Sequence, residues 1–178
     1  MMSHMIGYLD PDFLLIMDEI SDLLKRVFQT DDNLTLALSG TGSAGMEAGL
    51  SSLLEPDDTV VICASGFFSE RMIDMAERLG ANVVALRSEW GQPFPAEMLE
   101  EELRRNENVK LVTVVHAETS TGIRQPVDDL ARLAKEYDAL FMLDAVTSLG
   151  GNEVAVDRWD VDYCYSATQK CLACPPGL

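Results

Sequence analysis

Apolar and polar positions alternate along this chain with two periods. Phe13, Ile16, Met17, Ile20, Leu23, Leu24 and Val27 recur every three or four residues behind Asp10-Pro11. An Asp that can accept the first free backbone N–H groups, followed by a Pro whose missing N–H costs nothing there, marks the start of an amphipathic helix. Helical spacing also covers about Ser43 to Leu54, Phe68 to Leu79, Ala96 to Arg105 and Val127 to Tyr137. Between these lie short apolar runs at Leu34 to Leu38, Thr59 to Cys63, Asn82 to Leu86, Lys110 to Val115 and Leu140 to Leu143, with Asp162 to Tyr165 as a weaker sixth. Such runs predict strands. Strand and helix alternate through most of the chain, which predicts an α/β fold with a mostly parallel sheet and helices on both faces. The length of 178 residues suits one compact unit with a sizeable core, and no repeat, low-complexity tract or linker divides it.

In a parallel α/β sheet, ligands collect outside the carboxyl ends of the strands, so the residues after each apolar run carry the candidate chemistry. After the first run comes Ser39-Gly40-Thr41-Gly42-Ser43-Ala44-Gly45, a glycine-rich turn opening a helix. Free backbone N–H groups, small hydroxyls and the helix dipole suit it to a phosphate. Ser65-Gly66-Phe67-Phe68 follows the second run, His116-Ala117-Glu118-Thr119-Ser120-Thr121-Gly122 the fourth, and Asp144 the fifth. Asp144 ends the apolar Phe141-Met142-Leu143, which predicts a carboxylate of limited solvation that wants a cationic partner. A protonated pyridine nitrogen is one such partner; an ordinary strand-end or capping role is the other reading.

Lys170 lies in Tyr165-Ser166-Ala167-Thr168-Gln169-Lys170, ahead of Pro175-Pro176-Gly177. The other lysines, Lys25, Lys110 and Lys135, stand among charged residues, whereas Lys170 has an uncharged neighbourhood. A lysine that bonds covalently to a carbonyl must be neutral to react, and apolar surroundings favour that state.

Composition and alternative motifs narrow the classes. A formal charge of −17, from 30 acidic and 13 basic side chains, opposes binding to nucleic acid or to an anionic membrane surface. A solvated acidic surface or adaptation to high salt both account for it. No apolar run approaches the length of a membrane span and the amino terminus lacks a signal-peptide layout, so a cytoplasmic protein with reduced thiols is expected. Gly40, Gly42 and Gly45 satisfy a dinucleotide fingerprint, but the second strand ends Ile62-Cys63-Ala64-Ser65 without the acid that holds a ribose. Cys171-x-x-Cys174 has zinc or redox spacing. With His4 and His116 isolated and no second cysteine pair, no metal site is expected, and the two cysteines read as small buried residues.

Taken together, Ser39-Gly40-Thr41-Gly42, Met46-Glu47-Ala48, His116 to Gly122, Leu143-Asp144-Ala145-Val146-Thr147-Ser148-Leu149-Gly150-Gly151, Ser166 to Lys170 and Pro175-Pro176-Gly177 resemble class V aminotransferases of pyridoxal-phosphate fold type I, the alanine–glyoxylate, serine–glyoxylate and serine–pyruvate group. Met5-Ile6-Gly7 and Val27-Phe28-Gln29-Thr30 match the family's usual opening helix. The resemblance covers essentially the whole chain. It implies pyridoxal 5'-phosphate bound covalently to Lys170, which then shuttles a proton between the donor's Cα and the cofactor's C4′. It implies Asp144 paired with the pyridine nitrogen, Val146 packed on one face of the ring and Phe68 stacked on the other, where relatives often carry Trp. Thr41, Gly42, Ser43 and Gln169 would hold the phosphate, and Thr119 would bond near the ring hydroxyl; Ser43 and Thr119 stand where relatives vary. The implied reaction passes an amino group from alanine or serine to glyoxylate or pyruvate with ping-pong kinetics.

The resemblance also implies that residues 1–178 form an incomplete cofactor-binding large domain, with the amino-terminal arm and the carboxy-terminal small domain absent, and that the full-length protein is a homodimer. Relatives insert an antiparallel strand beside the first strand soon after Pro-Pro-Gly, so Leu34 to Leu38 is expected to lack its sheet partner. A desulfurase or lyase on the same fold is the rival within the class. It needs a mobile cysteine after the lysine and usually stacks a histidine, where this chain has Phe68. Outside the class stands a non-catalytic remnant that binds cofactor or a full-length partner.

Overall fold

A computed structural model describes residues 5–178; His4 lies outside the described residues. The chain runs α1 (Pro11–Phe28), α2 (Gly42–Leu53), β1 (Thr59–Ala64), α3 (Phe67–Arg78), β2 (Asn82–Arg87), α4 (Ala96–Arg105), β3 (Val109–Val115), β4 (Ala117–Glu118), β5 (Ile123–Arg124), α5 (Asp128–Glu136), β6 (Leu140–Asp144) and β7 (Tyr163–Tyr165). The main sheet has the order β2-β1-β3-β6-β7, and every pairing in it is parallel. The expected α/β architecture is therefore present. Crossover connections, three of them helical and the β6-to-β7 one without a helix, bring all five carboxyl ends to one edge, because parallel neighbours need a connection that returns over the sheet.

Alternation along the strands separates two apolar layers. Val60, Ile62 and Ala64 of β1, Leu111 and Val115 of β3, and Met142 of β6 pack under α2 and α3 with Met46, Leu50, Met72, Ile73 and Ala76. Val61 and Cys63, Val112 and Val114, and Phe141 and Leu143 face the other side, against Leu99 and Leu103 of α4, Leu130, Leu133 and Ala134 of α5, and Trp159. Each large aliphatic side chain fully withdrawn from water here contributes about 1.5–3 kcal/mol. Asp144 and Tyr165 continue the first series, so both leave the sheet on the α2 and α3 side.

Leu34 to Leu38 does not form the expected strand. Its side chains alternate, with Thr35 buried while Leu34, Leu36 and Leu38 are exposed, yet its backbone joins no ladder. A strand exists only through its partner's hydrogen bonds, and among the described residues β7 is paired on one side alone, to β6. The segment is held at separate points instead: Ser21 Oγ donates to the Thr35 carbonyl at 2.8 Å, and Gly40 N–H to the Gly177 carbonyl at 2.9 Å. The antiparallel pair β4–β5 was not expected; its two-residue strands are too short for a period to show.

Helix α1 behaves as its caps dictate. Asp10 accepts the Asp12 N–H at 2.9 Å, and Gln29 closes the helix at φ 52°. Its carboxyl end is pinned by Val156 N–H to the Phe28 carbonyl at 3.0 Å. None of its residues is buried, and Leu14, Leu15 and Leu23 stand exposed. Cys171 and Cys174, read from sequence as buried, are both exposed. They sit on a turn closed by Ala173 N–H to the Lys170 carbonyl, with Ala173 at φ 54°, which projects past the sheet edge rather than into the core. Among the described residues no helix is long and apolar enough to cross a membrane.

Candidate active site

One cleft of about 250 Å³ lies at the carboxyl edge of the sheet. Thr41, Gly42, Ser43, Phe68, Thr119, Asp144, Val146, Gln169 and Lys170, singled out above, all line it. Met46, Val115, Ala117 and Thr147 complete the lining; Met46, Ala117 and Thr147 stand in the quoted motifs without a role, and Val115 stands only at the end of an apolar run. Val115 ends a strand and Ala117 lies just beyond it, so their position relative to the sheet edge was the available signal.

The amino terminus of α2 forms one wall. Thr41 caps it, its Oγ1 accepting the Ala44 N–H at 3.2 Å, while Gly42 and Ser43 head the helix with N–H groups that have no intrahelical acceptor. Gly42 is required by close approach: a Cβ there would lie 2.9 Å from Cγ2 of Val146 and 3.4 Å from Cβ of Ala167. The helix terminus is thus drawn tight onto the loops after β6 and β7. The segment after β7 folds back on itself, with Thr168 Oγ1 donating to the Pro175 carbonyl at 2.7 Å and Thr168 N–H to the Leu178 carbonyl at 3.0 Å. Lys170 follows on this turn and is half-buried.

Asp144 lies at the floor, 3% exposed. Oδ1 accepts the Val146 N–H at 2.9 Å, and Oδ2 accepts the Tyr165 hydroxyl at 2.6 Å. Burial pushes its carboxyl up to about 6; those two hydrogen bonds oppose the rise and the nearby Glu118 charge adds to it. No cation of the described residues offsets the charge. Two acceptor positions of the carboxylate remain beyond the two hydrogen bonds it makes.

The opposite wall is the first turn of α3. Glu118, 1% exposed, accepts the N–H groups of Phe68 at 3.0 Å and Ser69 at 3.3 Å on Oε2, and the N–H and hydroxyl of Ser120 at 3.1 and 2.8 Å on Oε1. This buried carboxylate holds the helix that carries Phe68 and the loop that carries Thr119. Gly66 leaves it room, since a Cβ there would come within 2.3 Å of its Cγ. Phe68 meets Phe67 edge-on at 5.4 Å, and Arg71 lies over both rings while donating to Ser43 Oγ at 2.8 Å. Thr119 and Thr147 share a hydrogen bond of 2.6 Å between their hydroxyls. Glu118 could have been suspected as an acid among small residues directly after a strand. Tyr165 could not, because its meeting with Asp144 depends on strand register.

His116 is withdrawn from the cleft. Its Nδ1 is 2.9 Å from Ser148 Oγ and its ring meets Trp159 edge-on at 5.5 Å. Burial, aided by Arg124, lowers the imidazole to about 4, so it is neutral near pH 7. Its backbone locks the site: the His116 N–H donates to the Asp144 carbonyl at 2.9 Å and its carbonyl accepts the Gln125 N–H at 2.7 Å.

Comparison with known proteins agrees with this geometry. The (S)-ureidoglycine–glyoxylate transaminase of Bacillus subtilis is 41% identical over 178 residues, all of this chain and 42% of that protein. The alanine–glyoxylate aminotransferase of Rattus norvegicus is 38% identical over 175 residues, 98% of this chain and 42% of that one. The crystal structure of an alanine–glyoxylate aminotransferase from Nostoc sp. superposes with a TM-score of 0.94 at 46% identity, over 98% of this chain and 46% of that chain. The chain thus spans less than half the length of the relatives it matches. Residues 4–178 match the family described as Aminotransferase class-V, and with the sheet edge, helix terminus, aspartate and lysine arranged as above, the chain belongs to that family.

Proposed function

We propose that residues 1–178 are the large, cofactor-binding part of a pyridoxal 5'-phosphate transaminase. It takes an amino group from alanine or serine and passes it to glyoxylate or pyruvate. The observation that carries this reading is Asp144: a carboxylate 3% exposed, without a cation, facing a cleft that also holds Lys170. A buried charge left this way is expensive unless a ligand supplies the partner. The cofactor's donor set fits the residues present. A pyridinium meets the free acceptor positions of Asp144, a phosphate meets the head of α2, and a flat ring fits between Phe68 and Val146.

When bound, the cofactor supplies an electron sink that makes the donor's Cα acidic. Lys170 would hold it and would move the proton at that carbon. Asp144 would keep the ring nitrogen protonated. Thr41, Gly42, Ser43 and Gln169 would hold the phosphate, and Thr119 would bond near the ring hydroxyl. Relatives whose names specify glyoxylate support that acceptor. Support for transamination over desulfuration comes from Phe68, which lines the cleft where a desulfurase usually stacks a histidine. A full-length homodimer suits the exposed leucines of α1 and of Leu34 to Leu38. A cytoplasmic setting suits the free cysteines.

The test is reduction with borohydride in the presence of pyridoxal phosphate, followed by mass mapping of the labelled peptide. Label on Lys170, lost in Lys170→Ala, is the expected result. Label spread over Lys25, Lys110 and Lys135 would overturn the assignment.

A further inference from the structure

Asp144 and Tyr165 are register partners across the parallel β6–β7 pair. Their side chains therefore rise on the same face, and the Tyr165 hydroxyl donates to Asp144 Oδ2 at 2.6 Å with both residues at or below 5% exposure. The phenol ring is seated by the helix above it. A Cβ on Gly45 would lie 3.0–3.3 Å from the Tyr165 ring and Cβ, so only a glycine lets α2 come this close. On its flank Tyr163 packs at 6.2 Å between centroids and ties its own hydroxyl to the Gly45 carbonyl at 3.1 Å. Tyr165 thus has little freedom to turn its hydroxyl elsewhere.

We propose that Tyr165 is a positioning residue for the reaction: it fixes the orientation of the Asp144 carboxylate and weakens it as a base, so that the proton shared with the cofactor's ring nitrogen stays on the nitrogen. This rests on the functional reading above. The physical reason lies in the two donors. With Val146 N–H on Oδ1 and the phenol on Oδ2, the carboxylate plane is fixed and each oxygen keeps one acceptor position for the ligand. A hydrogen bond to the charged form favours that form. Without the phenol, a carboxyl this buried shifts toward its neutral acid, which cannot pair with a pyridinium. The other ionisable groups facing it do not replace the phenol: Glu118 and Cys164 lie close enough to couple to it but offer no positive charge, and Lys170 lines the same cleft without appearing among the groups that set its protonation.

Tyr165→Phe keeps the packed ring and removes only the donor. In the cofactor-free protein the Asp144 carboxyl can be followed by carbon-13 NMR across pH, its signal assigned by loss in Asp144→Asn. The expected result is a midpoint near 6 in the wild type and one higher by about one pH unit in Tyr165→Phe. Binding of pyridoxal phosphate at about pH 6.5 should then weaken about threefold, following the smaller ionised fraction. An analogue with carbon in place of the ring nitrogen should bind both proteins alike. An unmoved midpoint, or an equal loss for both ligands, overturns the proposal. If the wild type fails to bind pyridoxal phosphate, the functional reading falls and this inference with it; bound cofactor with an unmoved midpoint defeats this inference alone.

Discussion

Asp144→Asn should make the cofactor-free protein more stable, by an amount that grows with pH. The Asp144 carboxyl is raised from an ordinary value of 3.8 to about 6, chiefly by burial. Its contribution to stability is thus fully present below 3.8 and is lost as pH rises through 6, because over that interval the folded state binds more protons than the unfolded one. The full loss is about 3 kcal/mol, of which roughly 1.4 falls between about pH 5 and pH 8. That interval stays clear of the sequence pI of about 4.2, where the protein is least soluble. Asparagine is neutral throughout. Its oxygen can keep the Val146 N–H, while its amide donates to the Tyr165 oxygen and strands the phenolic hydrogen, which costs about 1 kcal/mol at every pH. Urea unfolding of wild type and variant, followed by far-ultraviolet circular dichroism, gives the difference directly and cancels every other titrating group. The variant's advantage should increase by roughly 1.4 kcal/mol across the interval, or about 3–6 °C in melting temperature. Parallel pH profiles would refute the reasoning. Saturating pyridoxal phosphate should reverse the order, because only the wild type offers the ring nitrogen a charged partner.

The opposite slope belongs to His116, held near 4 against an ordinary 6.5; its contribution is present above 6.5 and is lost as pH falls through 4. His116→Gln should therefore flatten the decline in melting temperature between about pH 6.5 and pH 5, and an unchanged decline would remove the histidine from the account. Glu118→Ala should cost about 2–4 kcal/mol, since it strands the half-buried Phe68 and buried Ser69 N–H groups at the head of α3. Chemical denaturation measures that loss, and a value below about 0.5 kcal/mol would show that water replaces the carboxylate.

The parts legible in the sequence were those set by period. Helix α1 announced itself through Asp10-Pro11 and its apolar spacing, and β1, β3 and β6 through largely apolar runs that suit a sheet covered on both faces. The cleft was legible because the main sheet sends the carboxyl ends of its strands to one edge, so groups written after β1, β3, β6 and β7 had to meet; the turn after Leu34 to Leu38 reaches them through the head of α2 instead. What failed depended on partners. Leu34 to Leu38 has a strand's alternation but no neighbour to pair with. Cys171 and Cys174 look like core residues by type, but a turn with Ala173 at φ 54° sends them outward. Tyr165 is a plain apolar-run residue until the register sets it beside Asp144.

The two buried carboxylates at this cleft show how such a site separates structure from function. Glu118 and Asp144 are 1% and 3% exposed, and they lie near enough for the Glu118 charge to raise the Asp144 carboxyl. Glu118 collects three backbone N–H groups and a hydroxyl, so its charge is spread over the head of α3 and the following loop. Asp144 receives one N–H and one phenol. A chain selected only to fold would satisfy the second as it does the first, or replace it with an apolar residue. The shortfall lies on the cleft side, opposite a helix terminus and beside a lysine, where a cationic ring nitrogen, a phosphate and a carbonyl carbon of one ligand would each find its counterpart. The deficit that makes Asp144 destabilising in the free protein would be the binding energy it offers a cationic ligand, so its removal should strengthen the fold and weaken the site together.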